Sequence, residues 1–245
     1  MITKISFWSI AALLMGYMIF AMAFIAPKAH TADVCKQVKI EVANASERPF
    51  ISDEEVLTML KKRGLSPKGK ALKQINTAKI EEKLLENKII RKVECFKTID
   101  GTVKVKIYQR TPFMRIFAVD NGSFYVDKDR NIIPVMGIYP AYVPVVSGFI
   151  SEEFAKKELF DFVKFIQNDD FWNSQIAQIF VAQNGDIELT PKVGNHQIIL
   201  GQLSDYHKNL KKLRTFYDKG LNKIGWNKYS VINLKYKNQV VCSRK

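Results

Sequence analysis

Two short stretches of the chain have the spacing of ligand-binding loops, and the first is typical of a phosphate-binding site. Residues 64–71 read GLSPKGKA and match the pattern GxxxxGK up to its last position. Ala71 then stands where a serine or threonine hydroxyl would coordinate magnesium, and a helix is predicted before Gly64 where the motif requires a strand. We therefore predict a plain loop between two helices.

The second stretch imitates the start of a calcium loop. Asp127, Asp129 and Asn131 have the spacing of its first three ligands. However, Ile132 occupies the position that requires glycine, and Ile138 occupies the position that requires a bidentate glutamate. We expect a solvated hairpin turn here rather than a metal site.

The histidines and acidic pairs do not predict catalysis either. His30, His196 and His207 are far apart and lack metal spacing, and no GxSxG elbow or Cys–His pairing is present. The acidic pairs at 152–153 and 169–170 are more simply carboxylates at helix ends. The sequence therefore predicts no catalytic residue, no metal and no cofactor.

The three cysteines do not predict a disulfide framework. Cys35, Cys95 and Cys242 are widely scattered and form no CxxC pair. A bridge between Cys35 and Cys95 stays open in an oxidising compartment, since nothing in the sequence sets their distance.

Composition is that of a folded and basic protein. The 245 residues are 47% hydrophobic and 25% charged, with a formal net charge of +14 and a pI near 9.6. Such a charge suits nucleic acid, anionic lipid or only a soluble basic surface. The basic run from Lys61 to Lys73 contains no acid and no aromatic residue that could stack on bases, so we expect a solvated face and no nucleic acid.

The N-terminus predicts a membrane anchor. No charge occurs from Ile5 to Ala26, a stretch long enough to span about 30 Å of hydrocarbon as a helix and longer than a signal-peptide core. A cleavage signature at residues 21–23 lies inside the apolar run, so a retained helix is favoured over a cleaved signal. Basic residues flank both ends and do not set the orientation. The size of the following chain favours a cytoplasmic N-terminus.

The chain after the anchor divides into two units. Residues 36–110 predict the order β-α-α-β-β, in which Ser52 opens the first helix with a capping box and Asp100-Gly101 joins the last two strands as a hairpin. Residues 111–245 predict many strands, one helix after Ser151 and another over residues 204–213. Strands with helices laid against them indicate an α+β fold.

The end of the chain reads VINLKYKNQVV over residues 231–241 and alternates like a strand with one buried face. Asn238 is the one break in this alternation. Almost no chain remains to cover the outer edge of such a strand. Two alternatives follow: a partner strand pairs with that edge, or the edge is closed within the chain.

Three motifs in order resemble those of the bacterial cell-division protein FtsQ/DivIB, in its Bacteroidetes-type form. The stretch Gln109, Arg110, Thr111 and Pro112 is similar to the QRxP junction between the family's two domains. Residues 124–127 (FYVD) and 132–134 (IIP) resemble its YYxD…xP hairpin, and residues 233–236 (NLKY) stand where relatives read DLRY. The resemblance covers essentially the whole chain.

The resemblance implies a domain plan and a fold. It consists of a cytoplasmic tail (1–4), a transmembrane helix (5–26), a linker (27–35), a POTRA-type domain (36–110) and a β-rich domain with flanking helices (111–245). Asn131 departs from the turn glycine of many relatives, and Asn233 and Lys235 replace the charged residues of DLRY.

The resemblance also implies a function. It is that of a non-enzymatic, single-pass scaffold of the division septum in the inner membrane, with its bulk in the periplasm. Its partners would be FtsB-like and FtsL-like small coiled-coil proteins and other divisome membrane proteins. The predicted partner-binding residues are Ile232, Asn233, Leu234, Lys235, Tyr236, Lys237 and Asn238. The alternatives are a POTRA-bearing chaperone of envelope assembly and a secreted enzyme.

Overall fold

The computed structural model describes residues 12–20, 34–43, 50–135 and 141–245. Residues 12–20 are helical, and their large apolar side chains, from Leu13 to Phe20, are all more than half exposed. Within the described ranges, no helix combines the length and apolar character that a membrane crossing requires. Most of the predicted anchor, residues 5–11 and 21–26, lies outside those ranges, so the anchor stays a prediction.

The first folded unit has the predicted β-α-α-β-β order. Its elements are β1 (Gln37–Ala43), α1 (Asp53–Lys62), α2 (Thr77–Leu85), β2 (Ile90–Lys97) and β3 (Thr102–Gln109), with a 3-10 turn at Leu72–Gln74. The sheet order is β1-β3-β2, in which β1 runs parallel to β3 and β2 antiparallel to it. Both helices pack on one face of this sheet through Val56, Leu60, Ile80 and Leu84, all at most 2% exposed.

Local signals in the sequence account for these elements. Ser52 accepts a hydrogen bond from Glu55 N at 3.2 Å, while the Glu55 carboxylate accepts one from Ser52 N at 2.8 Å, so the predicted capping box is confirmed. Such a cap stabilises a helix by about 1 kcal/mol. The hairpin between β2 and β3 turns at Gly101, whose φ of +89° is accessible to glycine.

The second unit is built on one nine-stranded sheet. Its strands are β4 (Pro112–Ala118), β5 (Gly122–Asp127), β6 (Ile132–Pro134), β7 (Val145–Gly148), β8 (Ile176–Val181), β9 (Ile187–Pro191), β10 (Gln197–Gly201), β11 (Tyr229–Asn233) and β12 (Val241–Arg244). Their spatial order is β12-β11-β10-β9-β8-β7-β4-β5-β6. The α+β class and the β-rich second unit are therefore confirmed.

Helices cover the sheet of the second unit. They are α3 (Glu152–Lys156), α4 (Glu158–Asn168), α5 (Asp170–Gln175), α6 (Tyr206–Phe216) and α7 (Asn222–Ile224), with a π-helical turn at Tyr217–Leu221. The single helix predicted after Ser151 is divided at Lys157, whose φ and ψ of −107° and −103° are not helical. Phe162, Leu213 and Tyr217 are at most 1% exposed within the common core.

The two units share buried surface. Tyr125 and Ile133 belong to the second unit by strand pairing, yet they are buried in the hydrophobic core of the first unit. Both are 2% exposed, and the Tyr125 ring meets Phe50 edge-on at a centroid distance of 6.2 Å. The boundary between the units is therefore a packed apolar contact and not only a peptide link.

Candidate partner-binding site

The predicted binding residues lie at one end of the nine-stranded sheet. Strand β11 runs parallel to β10, with Ile198 opposite Ile232, and the ladder continues through a hydrogen bond of 2.9 Å from Leu234 N to Ile199 O. Ile232 and Leu234 are both 0% exposed, because their side chains face the core beneath α6. The buried face predicted by the alternation is present at these positions.

The prediction that residues 231–241 form one strand is wrong. The chain leaves β11 after Asn233, turns at residues 236–238, and returns as β12, which pairs antiparallel to β11 with Asn233 opposite Val241. Asn238 makes this reversal feasible by adopting a left-handed φ of +58°, a conformation that asparagine tolerates better than most residues. The edge of β11 is thus closed within the chain, which is the second of the two alternatives above.

At this end of the nine-stranded sheet, the outer edge belongs instead to β12. In the part of the chain that the structure describes, β12 pairs with β11 alone. Strand Val241–Arg244 was missed as a separate element from the sequence, although the break at Asn238 was a signal for it. A partner strand added at this end of the sheet would therefore pair with the backbone of residues 241–244 and not with that of β11.

The predicted contact residues now fall into three groups. Ile232 and Leu234 are core residues, whose side chains are not accessible to a partner. Asn233 lies in β11, where its side-chain oxygen accepts a hydrogen bond of 3.0 Å from Lys235 N. The others lie in the exposed turn beside β12 and stay predicted contact residues: Lys235, Tyr236, Lys237 and Asn238.

Lys212 on α6 holds the turn between β11 and β12. Its ammonium group donates to the carbonyl oxygen of Leu234 at 2.5 Å, of Tyr236 at 2.8 Å and of Gln239 at 3.5 Å. The carbonyl oxygen of Tyr236 also accepts a hydrogen bond of 3.4 Å from Gln239 N, and the Lys212 ammonium group supplies a donor that these acceptors would otherwise take from water. These hydrogen bonds from Lys212 fix the start of β12 relative to the core.

A second cation fixes the other side of the turn. The Lys235 ammonium group lies 2.6 Å from the Asp186 carboxylate, which is nearly buried, and this hydrogen bond raises the pKa of Lys235. Gly201 lies beneath the Lys235 side chain, where an added Cβ would come within 2.9 Å of Lys235 Cγ. Lys235 in this sequence is therefore engaged within the chain.

The surroundings of β12 combine positive charge with an apolar groove. Lys237, Arg244 and Lys245 are exposed around the strand. A groove of about 430 Å³ opens next to its first residue. The groove is lined by Lys212, Thr215, Phe216, Lys219, Gly220, Asn238 and Val240. This arrangement can receive an extended segment and one apolar side chain beside it.

The predicted junction residues lie where the two units meet. The Gln109 side chain accepts a hydrogen bond of 3.0 Å from Phe50 N, and Arg110 N donates to Ile89 O at 2.8 Å. The Arg110 guanidinium donates to the Asp127 carboxylate at 2.7 Å, and Pro112 opens β4. Asp127 is 2% exposed, so this ion pair is largely removed from water.

The loops that imitate ligand-binding motifs have other roles. Asp127 accepts bonds from Asp129 N at 2.9 Å and Asn131 N at 2.7 Å, so it organises the hairpin turn that was predicted here. No metal-binding cluster occurs among the described residues. The loop at 64–71 lies between α1 and α2, as predicted, and pairs with residue 34 through Ala71.

The buried titratable groups do not converge on a cleft. A hydrogen bond of 3.0 Å joins His196 Nε2 and the Tyr217 hydroxyl inside the core. Burial lowers the pKa of His196 and raises that of Tyr217, so both stay neutral near pH 7. Cys35, Cys95 and Cys242 are unpaired, and burial raises the pKa of the Cys95 thiol to about 12.

Comparison with known protein families matches both units. A family model described as "FtsQ/DivIB, C-terminal related" matches residues 111–243, and a model described as "POTRA-like domain" matches residues 33–108. A search of curated proteins found no match.

Proposed function

The chain belongs to the FtsQ/DivIB family, whose C-terminal model covers more than half of it, and from this premise we propose a scaffold role in bacterial cell division. Family membership points to a division-related, non-catalytic scaffold. In our proposal the chain is a single-pass protein of the inner membrane at the division site. Its two folded units lie in the periplasm and connect FtsB-like and FtsL-like proteins with other divisome membrane proteins.

The proposed mechanism is strand addition at β12. The observation that carries it is the outer edge of β12, which pairs with no other strand among the described residues. An edge with unused N–H and C=O groups is an association hazard unless it is short, charged or covered. β12 has four residues, ends with Arg244 and is followed by Lys245, features that limit self-association but leave room for one specific partner strand.

The surroundings of β12 define the chemistry of that partner. Main-chain ladder bonds would supply affinity, while side chains on alternate positions supply specificity. The positive charge of Lys237, Arg244 and Lys245 favours a segment that carries acidic residues. An apolar side chain of that segment would enter the groove beside Phe216 and Val240.

The anchor in this proposal is the apolar stretch from Ile5 to Ala26. The described part of it, residues 12–20, is helical and presents apolar side chains outward, which suits contact with lipid. The mature protein should then keep its N-terminus and resist extraction by salt and carbonate. A mature N-terminus at or after Phe24 in a soluble fraction would remove the anchor.

Proline substitutions in β12 test the mechanism. Cys242→Pro and Ser243→Pro each delete one backbone N–H donor. Because adjacent residues of a strand direct their N–H groups to opposite edges, one of the two donors faces β11 and the other faces outward. We expect one variant to lose stability and the other to stay folded but lose capture of its partner from a membrane extract. Cys242→Ala and Ser243→Ala keep both donors and are the matched controls. Two folded proline variants that capture the partner at wild-type strength would refute strand addition.

A further inference from the structure

One end of the first unit collects exposed positive and apolar side chains. We call this the entry surface and define it by Val34, Lys36, Lys68, Lys97 and Ile99. Ile99 is 75% exposed and Val34 45% exposed. The three lysines are exposed as well, and none of them forms a salt bridge among the described residues.

Strand topology brings these residues together. Strands β1 and β3 are parallel, with Gln37 opposite Thr102, so the start of β1 and the β2–β3 turn lie at the same end of the sheet. Lys36 N donates to Gly101 O at 2.9 Å, which fixes the incoming chain against that turn. Lys97 is the last residue of β2 before this turn, and Ile99 lies within the turn.

The basic loop between α1 and α2 joins the same end. Cys35 N donates to Lys70 O at 2.9 Å, and Gly69 N donates to Cys35 O at 2.9 Å. Lys68 is therefore held beside the incoming chain. The basic run from Lys61 to Lys73 thus has a defined place in the fold, and the proposed scaffold role does not use it.

Among the described residues of this turn, Asp100 offsets at most one of the three lysine charges. The Asp100 carboxylate accepts hydrogen bonds from Thr102 N at 3.1 Å, from Thr102 Oγ1 at 3.1 Å and from the Thr98 hydroxyl, all within its own turn. Its oxygens are occupied by the turn, while the ammonium groups extend into solvent. The net charge of this end is positive.

Chain length places this end near the membrane. If the anchor ends at Ala26, residues 27–33 are the whole connection to Val34, and a fully extended chain of this length reaches at most about 25 Å. Val34 and Lys36 thus hold the entry surface close to the anchor, and the other segments of the surface are bonded to this incoming chain. A patch tethered so closely is presented to the lipid headgroups at high effective concentration.

We propose that the entry surface binds the headgroup region of an anionic lipid bilayer, with its lysines on acidic headgroups and Ile99 inserted at the interface. This proposal rests on the anchor within the proposed function. Lysines near an anionic surface gain favourable electrostatic energy within about one Debye length, and an exposed apolar side chain between them adds burial at the interface. The contact would orient the first unit on the membrane.

The test measures protection of position 99 in the full chain. Ile99→Cys protein is reconstituted into vesicles of phosphatidylcholine alone or with phosphatidylglycerol, and labelling by a membrane-impermeant maleimide is followed peptide by peptide. Lys88→Cys, an exposed position beyond the opposite end of β2, is the matched control. We expect labelling at position 99 to slow by at least about fivefold in anionic vesicles only, and labelling at position 88 to stay unchanged.

Charge reversal and salt separate lipid contact from other causes. Lys36→Glu, Lys68→Glu and Lys97→Glu together should abolish the protection, as should about 1 M salt, where the Debye length falls to about 3 Å. The control carries the same charge change at exposed lysines far from the entry surface: Lys164→Glu, Lys208→Glu and Lys211→Glu. It should leave the protection intact.

Each alternative result has a definite meaning. Equal labelling in neutral and anionic vesicles would overturn the proposal, and so would loss of protection in the control triple variant. Protection that persists in detergent would indicate a second copy or another protein on this surface instead of lipid, and would also overturn it. Failure of the chain to float with neutral vesicles would refute the anchor itself. Flotation without protection refutes the lipid contact alone.

Discussion

The Lys212 ammonium group donates a hydrogen bond of 2.5 Å to the carbonyl oxygen of Leu234. Leu234 is the last core residue before the chain turns away from β11, and it is 0% exposed. Lys212 thus connects helix α6 to the point at which the C-terminal hairpin begins. The position of the candidate binding edge depends on this contact as well as on the β11–β12 ladder.

Replacement of Lys212 by methionine should loosen the hairpin. The carbonyl oxygen of Leu234 would lose the ammonium group as its donor, and that of Tyr236 would keep only the bond of 3.4 Å from Gln239 N, at a cost of about 1–3 kcal/mol where no water replaces the ammonium group. Amide hydrogen exchange of residues 241–244 should accelerate, while exchange in β8 and β9 should not. Lys211→Met, on the exposed side of the same helix, is the control. Unchanged exchange in β12 would show that the ladder alone holds the strand.

Ile232 and Tyr236 should separate folding from binding. Ile232→Ala removes a fully buried side chain and should lower the free energy of unfolding by about 3 kcal/mol. Tyr236→Ala changes a side chain that is 52% exposed, so stability should change by less than about 0.5 kcal/mol. If the exposed ring is a binding anchor, capture of the partner should weaken by about 2 kcal/mol. A Tyr236→Ala protein that binds normally would limit the interface to β12 itself.

Loss of the Arg110–Asp127 ion pair should lower the free energy of unfolding strongly. Arg110→Met leaves a buried carboxylate without its cation, a loss that costs about 3–5 kcal/mol for buried pairs. The Arg91–Asp129 pair is the control, since both side chains are at least 49% exposed and such pairs contribute less than about 1 kcal/mol. Chemical denaturation of Arg110→Met and Arg91→Met measures the two effects. Equal effects would mean that the junction pair is effectively solvated.

His196 should make stability fall in acid. Burial lowers its pKa in the folded state and so favours the neutral ring. A hydrogen bond with the backbone of Trp226 opposes this shift only in part. A histidine with a lowered folded pKa contributes stability that is complete above its unfolded pKa of about 6.5 and is lost as the pH falls toward the folded value. The melting temperature should therefore drop between pH 7.5 and pH 5.

A His196→Gln variant isolates that contribution. It should show a smaller drop over the same range, although it is less stable than the wild type at pH 7.5 because the Tyr217 hydroxyl loses its partner in part. The matched control is His207→Gln, the same substitution at an exposed histidine, against which the change in the pH profile of His196→Gln is measured. A profile of His196→Gln parallel to the wild type would assign the acid sensitivity to other groups.

The sequence by itself determined the order of elements in the first unit. Ser52 and Glu55 form their capping box within four residues, and Asp100-Gly101 closes a hairpin between neighbouring strands, so both signals act locally. The buried face of β11 was also readable, because the alternation of Ile232 and Leu234 reports burial directly. The resemblance on the QRTP, FYVD and NLKY stretches identified the family before any contact was known.

Only the tertiary structure decided which strand forms the edge of the sheet. Alternation shows which residues face the core, but it does not show where a chain reverses or which neighbour its backbone pairs with. The turn at Asn238 depends on the left-handed φ of that residue and on the hydrogen bonds from Lys212, which lies more than twenty residues earlier in the chain. Likewise, Lys36, Lys68 and Lys97 are distant in sequence and meet at the entry surface because parallel pairing of β1 with β3 brings their segments to one end of the sheet.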